Sequence, residues 1–187
     1  MRSAIAVMLA FCLVLCACSK NKDQNGEILI PNTPQTEVPD ELVGKWLNGT
    51  FSMSNWWSYD GKKYEGNPYS SSRAISFAKN GDVEFFQVIK TFNGSCSSEA
   101  FTYFKGTVEF NEQEGWFTIY PQKGNFRGFY SCASGSNFNR AATRDELKPI
   151  KLFWGYDADN NGVNWLITAF REDAPPSEYS YFKATNW

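Results

Sequence analysis

The feature that most constrains this chain is the punctuation of residues 42–187, where short apolar runs are separated by turn-forming residues. Asn80-Gly81-Asp82 divides run 74–79 from run 83–92, and Asn93-Gly94-Ser95 ends the second run. Asn and Gly tolerate the positive backbone angles of tight hairpins, so this pattern predicts antiparallel strands joined by short loops. Asn111-Glu112-Gln113-Glu114 separates run 100–110 from run 115–120, residues 121–125 turn into run 126–132, and residues 157–162 separate run 150–156 from run 163–170. With 45–53 before them and 179–184 after, eight or nine strands are expected. Only residues 139–147 read as helix, with Thr143 and Glu146 as a capping box and Pro149 as its stop. Sequential hairpins in this number must hide their edges. The expected class is therefore all-β: an eight- to nine-stranded up-and-down antiparallel barrel with one short helix, a β-sandwich being the alternative.

The chain of 187 residues contains no His. That removes the commonest general base, every Ser-His or Cys-His pair and every imidazole metal site. The formal net charge of −2 argues against a nucleic-acid partner, which wants a basic face. Glu109, Glu112, Glu114, Asp145 and Glu146 are the densest acids, but they fall at turns or at the helix start, so solvated surface is the expected role and no catalytic pair is assigned. Asp157-Ala158-Asp159-Asn160-Asn161-Gly162 matches the first half of a calcium loop. The acid such a loop needs at its twelfth position is replaced by Thr168, and Asp and Asn before Gly also suit a plain hairpin turn. No metal, no cofactor and no enzymatic activity are expected.

The N-terminus carries an address. Arg2 precedes the fourteen uncharged residues 4–17, too short a stretch to span a bilayer comfortably but suited to a secretory signal. It ends Leu15-Cys16-Ala17-Cys18, which resembles the lipobox of bacterial lipoproteins. That resemblance implies cleavage before Cys18, lipidation of Cys18, and membrane attachment by two or three acyl chains. Ser19 follows, where the family's inner-membrane retention signal is usually Asp, so the implied destination is the outer membrane of a Gram-negative bacterium. Residues 1–17 then read as signal peptide, 18–41 as lipidated N-terminus and flexible tether, and 42–187 as the barrel domain. Pro31, Pro34 and Pro39 among Asn, Gln and Thr suit a spacer, and the apolar run 28–30 is too short to change that reading. Once Cys12 and Cys16 leave with the signal and Cys18 takes lipid, Cys96 and Cys132 remain, a pair for a disulfide in an oxidising compartment; two buried free thiols are the alternative.

The domain opens Gly44-Lys45-Trp46. Gly-x-Trp at the start of the first strand resembles the lipocalins and the wider calycin superfamily. The resemblance implies that Trp46 closes the blind end of the barrel beside Gly44, and that Arg171, directly after run 163–170, lies across its ring. Cys96, Phe104-Lys105-Gly106-Thr107-Val108, Tyr120-Pro121, Lys123-Gly124, Cys132 and Asn137-Phe138-Asn139-Arg140 together resemble a group of lipoproteins from Gram-negative gut anaerobes. This second resemblance implies an address and a fold, and no chemistry.

The richest candidate for binding is the stretch 54–72, where Trp56, Trp57, Tyr59, Tyr64 and Tyr69 sit among Gly, Asn, Asp, Lys and Ser. In a lipocalin-type barrel this connection lies over the open mouth. Its rings would stack on a small apolar molecule or a glycan, or else plug the mouth and pack on one another. Two functions follow: a membrane-tethered binding module, or an envelope interaction protein whose barrel is filled by its own side chains.

Overall fold

The computed structural model describes residues 28–50, 52–59 and 71–187. Nine strands form: β1 Gly44–Asn48, β2 Ser71–Phe77, β3 Asp82–Asn93, β4 Cys96–Asn111, β5 Trp116–Tyr130, β6 Phe138–Ala141, β7 Ile150–Ala158, β8 Asn164–Ala169 and β9 Ser180–Thr185. All neighbours pair antiparallel. β1 to β5 follow in sequence, β5 continues to β7, and β9 returns to β1 with Lys45 opposite Thr185. Eight strands thus close a ring, and β6 lies outside it on the second half of β5, with Phe138 opposite Gly128. The up-and-down barrel expected from the turn spacing is the fold. At the β2–β3 turn, Gly81 takes φ 89° and donates its N–H to the Ala78 carbonyl at 2.9 Å, a conformation that a side chain would strain.

Four local expectations are corrected. Residues 121–125 do not turn; β5 runs straight through them, and the register with β4 shifts between Lys105 and Gly106. Pro121 and Gly124 serve a bulge in which Gln122 is the extra residue, and its carbonyl takes the Ile30 N–H at 2.9 Å. Gly106 sits against this bulge, where a Cβ would run into the Tyr120 carbonyl. Second, β1 stops at Asn48, and a six-residue helix, α1 Met53–Ser58, follows. Third, residues 139–147 are not one helix: β6 ends at Ala141, and only Arg144–Glu146 make a single 3-10 turn, with the Thr143–Glu146 capping box formed. Fourth, the chain from residue 28 onward is part of the body. Thr36 N–H bonds the Val108 carbonyl, Val38 N–H bonds the Lys79 carbonyl, and Val38 and Leu42 are fully buried. The prolines of this stretch hold it extended, which is the form needed to lie along strand ends.

One face of the sheet is buried on all eight ring strands and lines the interior. Trp46, Ile75, Phe85 and Phe104 stand opposite one another across β1 to β4, and Phe110, Phe117, Leu152, Leu166 and Phe182 continue the cluster around the ring. The rings touch: Phe77, Phe110 and Phe117 have centroids 5.1–5.6 Å apart, and Phe126 meets Phe104 at 5.7 Å. This is a packed aromatic core. Trp46 is 2% exposed and donates its indole N–H to the Leu42 carbonyl at 2.8 Å. Cys96 and Cys132 are bridged, with Cα atoms 5.4 Å apart, so the far ends of β4 and β5 are joined covalently.

Candidate functional site: an aromatic outer wall

β3 and β4 are apolar on both faces. Opposite the Trp46 row, on the outside of the ring, Leu47, Ala74, Phe86 and Tyr103 form a second row across β1 to β4. Ser72, Val88, Phe101 and Arg127 form a third row across β2 to β5, and Lys90, Glu99 and Phe129 a fourth. An outer face this apolar needs a cover, and α1 supplies it. Trp56 is 1% exposed, with its ring edge-on to Phe86 at 5.2 Å and to Phe101 at 5.8 Å. Tyr59 stacks on Phe101 at 5.4 Å and meets Phe129 at 4.9 Å. Trp56 and Tyr59 therefore lie against the barrel wall, on the face opposite Trp46.

Arg127 fastens this cover. Its guanidinium carbon lies 4.4 Å from the Trp56 ring centre and 4.7 Å from that of Phe101. Its two terminal nitrogens donate to the carbonyls of Trp56 at 2.6 Å and Tyr59 at 3.0 Å, at and just past the end of α1. Burial pushes its pKa down to about 10, so it is still cationic at neutral pH. Nearby, Lys90 and Glu99 form a mostly buried ion pair at 2.7 Å. Arg127 Nε, Glu99 Oε2 and Trp56 Nε1 are buried with no hydrogen-bond partner among the described residues. Each such atom costs on the order of 1–3 kcal/mol, so this wall is not optimised for stability alone.

Trp57 is the exception to the burial. Its indole is 55% exposed while its neighbours hold it: Trp56 at 4.6 Å, Tyr103 at 5.3 Å and Phe86 at 6.0 Å. Trp187 packs edge-on to Phe86 at 6.3 Å, with Lys45 over its ring at 5.5 Å. Polar groups border the rings. Tyr103 donates its hydroxyl to Glu84 at 2.7 Å, and Lys105 lies 3.9 Å from the same carboxylate.

Of the expected site residues, Trp56, Trp57 and Tyr59 come together, whereas Tyr64 and Tyr69 lie outside the described residues. Gly44 and Trp46 stand at the start of β1 as expected. Arg171 does not lie across Trp46. Ala184 is the residue opposite Trp46 on β9, which places Trp46 near the start of β8, while Arg171 follows the end of β8 and pairs with Glu178 at 2.9 Å. Trp46 instead meets Tyr156 edge-on at 6.3 Å. The 157–162 turn uses its acids locally: Asp159 accepts the N–H groups of Asn161 at 2.8 Å and Val163 at 3.0 Å. Among the described residues no group of three or more His, Cys, Asp or Glu could hold a metal ion. Arg127 was not singled out from sequence; the signal that pointed to it is the double-faced apolarity of run 83–92. Comparison with known proteins finds no matching family model, no similar curated protein and no similar solved structure.

Proposed function

We propose that this chain is a lipid-anchored, non-catalytic binding protein of the bacterial envelope, in which a lipocalin-like barrel is the scaffold and the outer wall takes a glycan. The observation that carries this reading is Trp57: an exposed indole held by Trp56, Tyr103 and Phe86, bordered by hydroxyl, carboxylate and ammonium groups. Sugars offer an apolar ring face to stack and hydroxyls to bond, which is what this border can meet. The packed interior argues against an apolar molecule held inside the ring. The anchor rests on the lipobox resemblance at Cys18, and the Cys96–Cys132 bridge supports an address outside the reducing cytoplasm.

The test is a glycan array read with the parent and Trp57→Ala. The parent should retain at least one glycan class, and the variant should lose it while melting at the parent's temperature. A parent that binds none would refute the reading. For the anchor, Cys18→Ala should abolish labelling by a fatty-acid probe, and equal labelling would remove the lipoprotein assignment. A second reading, an envelope interaction protein without a small ligand, draws on the same packed interior. It gains ground if the array is blank.

A further inference from the structure

Strand β7 contains a glycine that its own backbone does not require. Gly155 pairs in regular register with Ile167, and its φ is not among the positive ones. A Cβ built there meets no atom within 4 Å. A mid-strand glycine is destabilising relative to alanine and usually marks a bulge, a bend or a close approach by a backbone or a ligand. The register excludes a bulge, and the open space excludes a close approach by this chain's own backbone, which leaves room for a ligand. That open space belongs to a cleft of about 250 Å³ on the outer face of β7 and β8, beside Tyr179 just before β9. Gly155, Ile167 and Ala169 face it, Phe153 and Tyr179 wall it, and Glu172 stands at its rim. Arg171, also at the rim, is already bonded by both Glu178 oxygens at 2.9 Å.

We propose that this cleft is a second binding site, separate from the Trp57 wall, and that it takes one six-membered ring lying with an apolar face on Gly155. The flat floor admits a ring only where no side chain projects. Phe153 and Tyr179 meet its edges, and Glu172 accepts a hydroxyl donated by the ring's substituent. An aryl alcohol and a pyranoside share this chemistry, and the two probes below separate them. A ligand of about ten non-hydrogen atoms binds in the millimolar range, so the readout must tolerate weak affinity.

The experiment records amide chemical shifts of the parent, Gly155→Val and Trp57→Ala during titration with benzyl alcohol and, separately, with methyl β-D-glucopyranoside. One probe should shift the Gly155, Ile167 and Ala169 amides of the parent and of Trp57→Ala alike. In Gly155→Val the affinity should fall roughly tenfold or more, because branched methyls fill the floor. Thermal unfolding of Gly155→Val should match or exceed the parent, since the added atoms meet nothing and valine suits a strand. Shifts with neither probe overturn the proposal. So does a marked drop in the melting temperature of Gly155→Val, which would make the glycine a structural requirement.

Discussion

The inside and the outside of the β1–β5 wall are built from the same residue types, yet they have different properties. Inside, Trp46, Phe85, Phe104, Phe110 and Phe117 are closed in by strands from the far side of the ring. Outside, Phe86, Phe101 and Phe129 are closed in by α1, which has six residues. A strand across the ring is fixed by ladders on both its edges. A six-residue helix lacks the length to be stable by itself, so it depends on Arg127 and on Trp56. Unpaired polar atoms follow the same division. Among the described residues, Trp154 Nε1 is the one on the inner side, and Trp56 Nε1, Arg127 Nε and Glu99 Oε2 are on the outer. Burial by a closed ring supplies stability, whereas burial by a small clip leaves a surface that other molecules can reach.

The comparison can be broken most sharply at Trp46. Trp46→Ala should show the largest loss, near the top of the roughly 3–5 kcal/mol typical for a buried ring, because the closed ring cannot collapse onto the cavity. Trp56→Ala should cost less, about 3 kcal/mol, because α1 can move inward to fill part of the space. Urea unfolding of both variants decides it; a Trp56 loss equal to that of Trp46 would make the outer wall a second core.

A smaller effect is expected where β6 is held. Arg140 donates to Glu146 at 2.6 and 2.7 Å, and the Thr143 N–H donates to it at 2.8 Å, which holds the Glu146 carboxyl down to about 2. A folded-state value below the unfolded one of about 4.3 means stability present above that pH and lost as pH falls toward 2. Glu146→Gln should therefore cost about 0.5–1 kcal/mol at neutral pH. Parent and variant should converge between about pH 4.3 and 2, as a pH series of melting curves would show. A similarly small effect belongs to Trp57→Ala, about 1 kcal/mol or less in stability, because more than half of its surface is already in water. A larger loss would place Trp57 in the cover and not on the surface.

Much of the barrel was legible because hairpin turns are local. Gly81 and Gly94 take the positive φ that a glycine permits in a tight turn, and both mark true strand ends. The bulge at Gln122 was not legible, since Pro121 and Gly124 look alike in a bulge and in a turn; only the register with β4 separates them. The docking of residues 28–42, with Val38 and Leu42 buried, was hidden for a similar reason, because an extended proline-rich segment looks the same free or laid against the barrel. In the site, Trp56, Trp57 and Tyr59 were visible by composition, but their side of the wall was not. That side follows from period-two alternation in β3, where Val83 and Phe85 face in while Phe86 and Val88 face out. Arg127 was missed because one Arg between Phe126 and Gly128 reads as solvent-facing until a partner segment is known to cover it.

The ring closes between β1 and β9, and this sets an order on how the chain can assemble. The β2–β5 hairpins join residues close in sequence and can form as soon as they are made. Trp46 and Ala184, by contrast, face each other across nearly the whole domain. Loop-closure entropy makes such distant pairings slow to nucleate, and folding rates fall as they accumulate. Until β9 arrives, β1 is an edge strand with its hydrogen-bonding groups open to any neighbouring chain. A chain made from its N-terminus therefore holds Trp46 and the inner face of β1 exposed until its last strand has emerged. For the unfinished protein that interval is the period of greatest risk of aggregation.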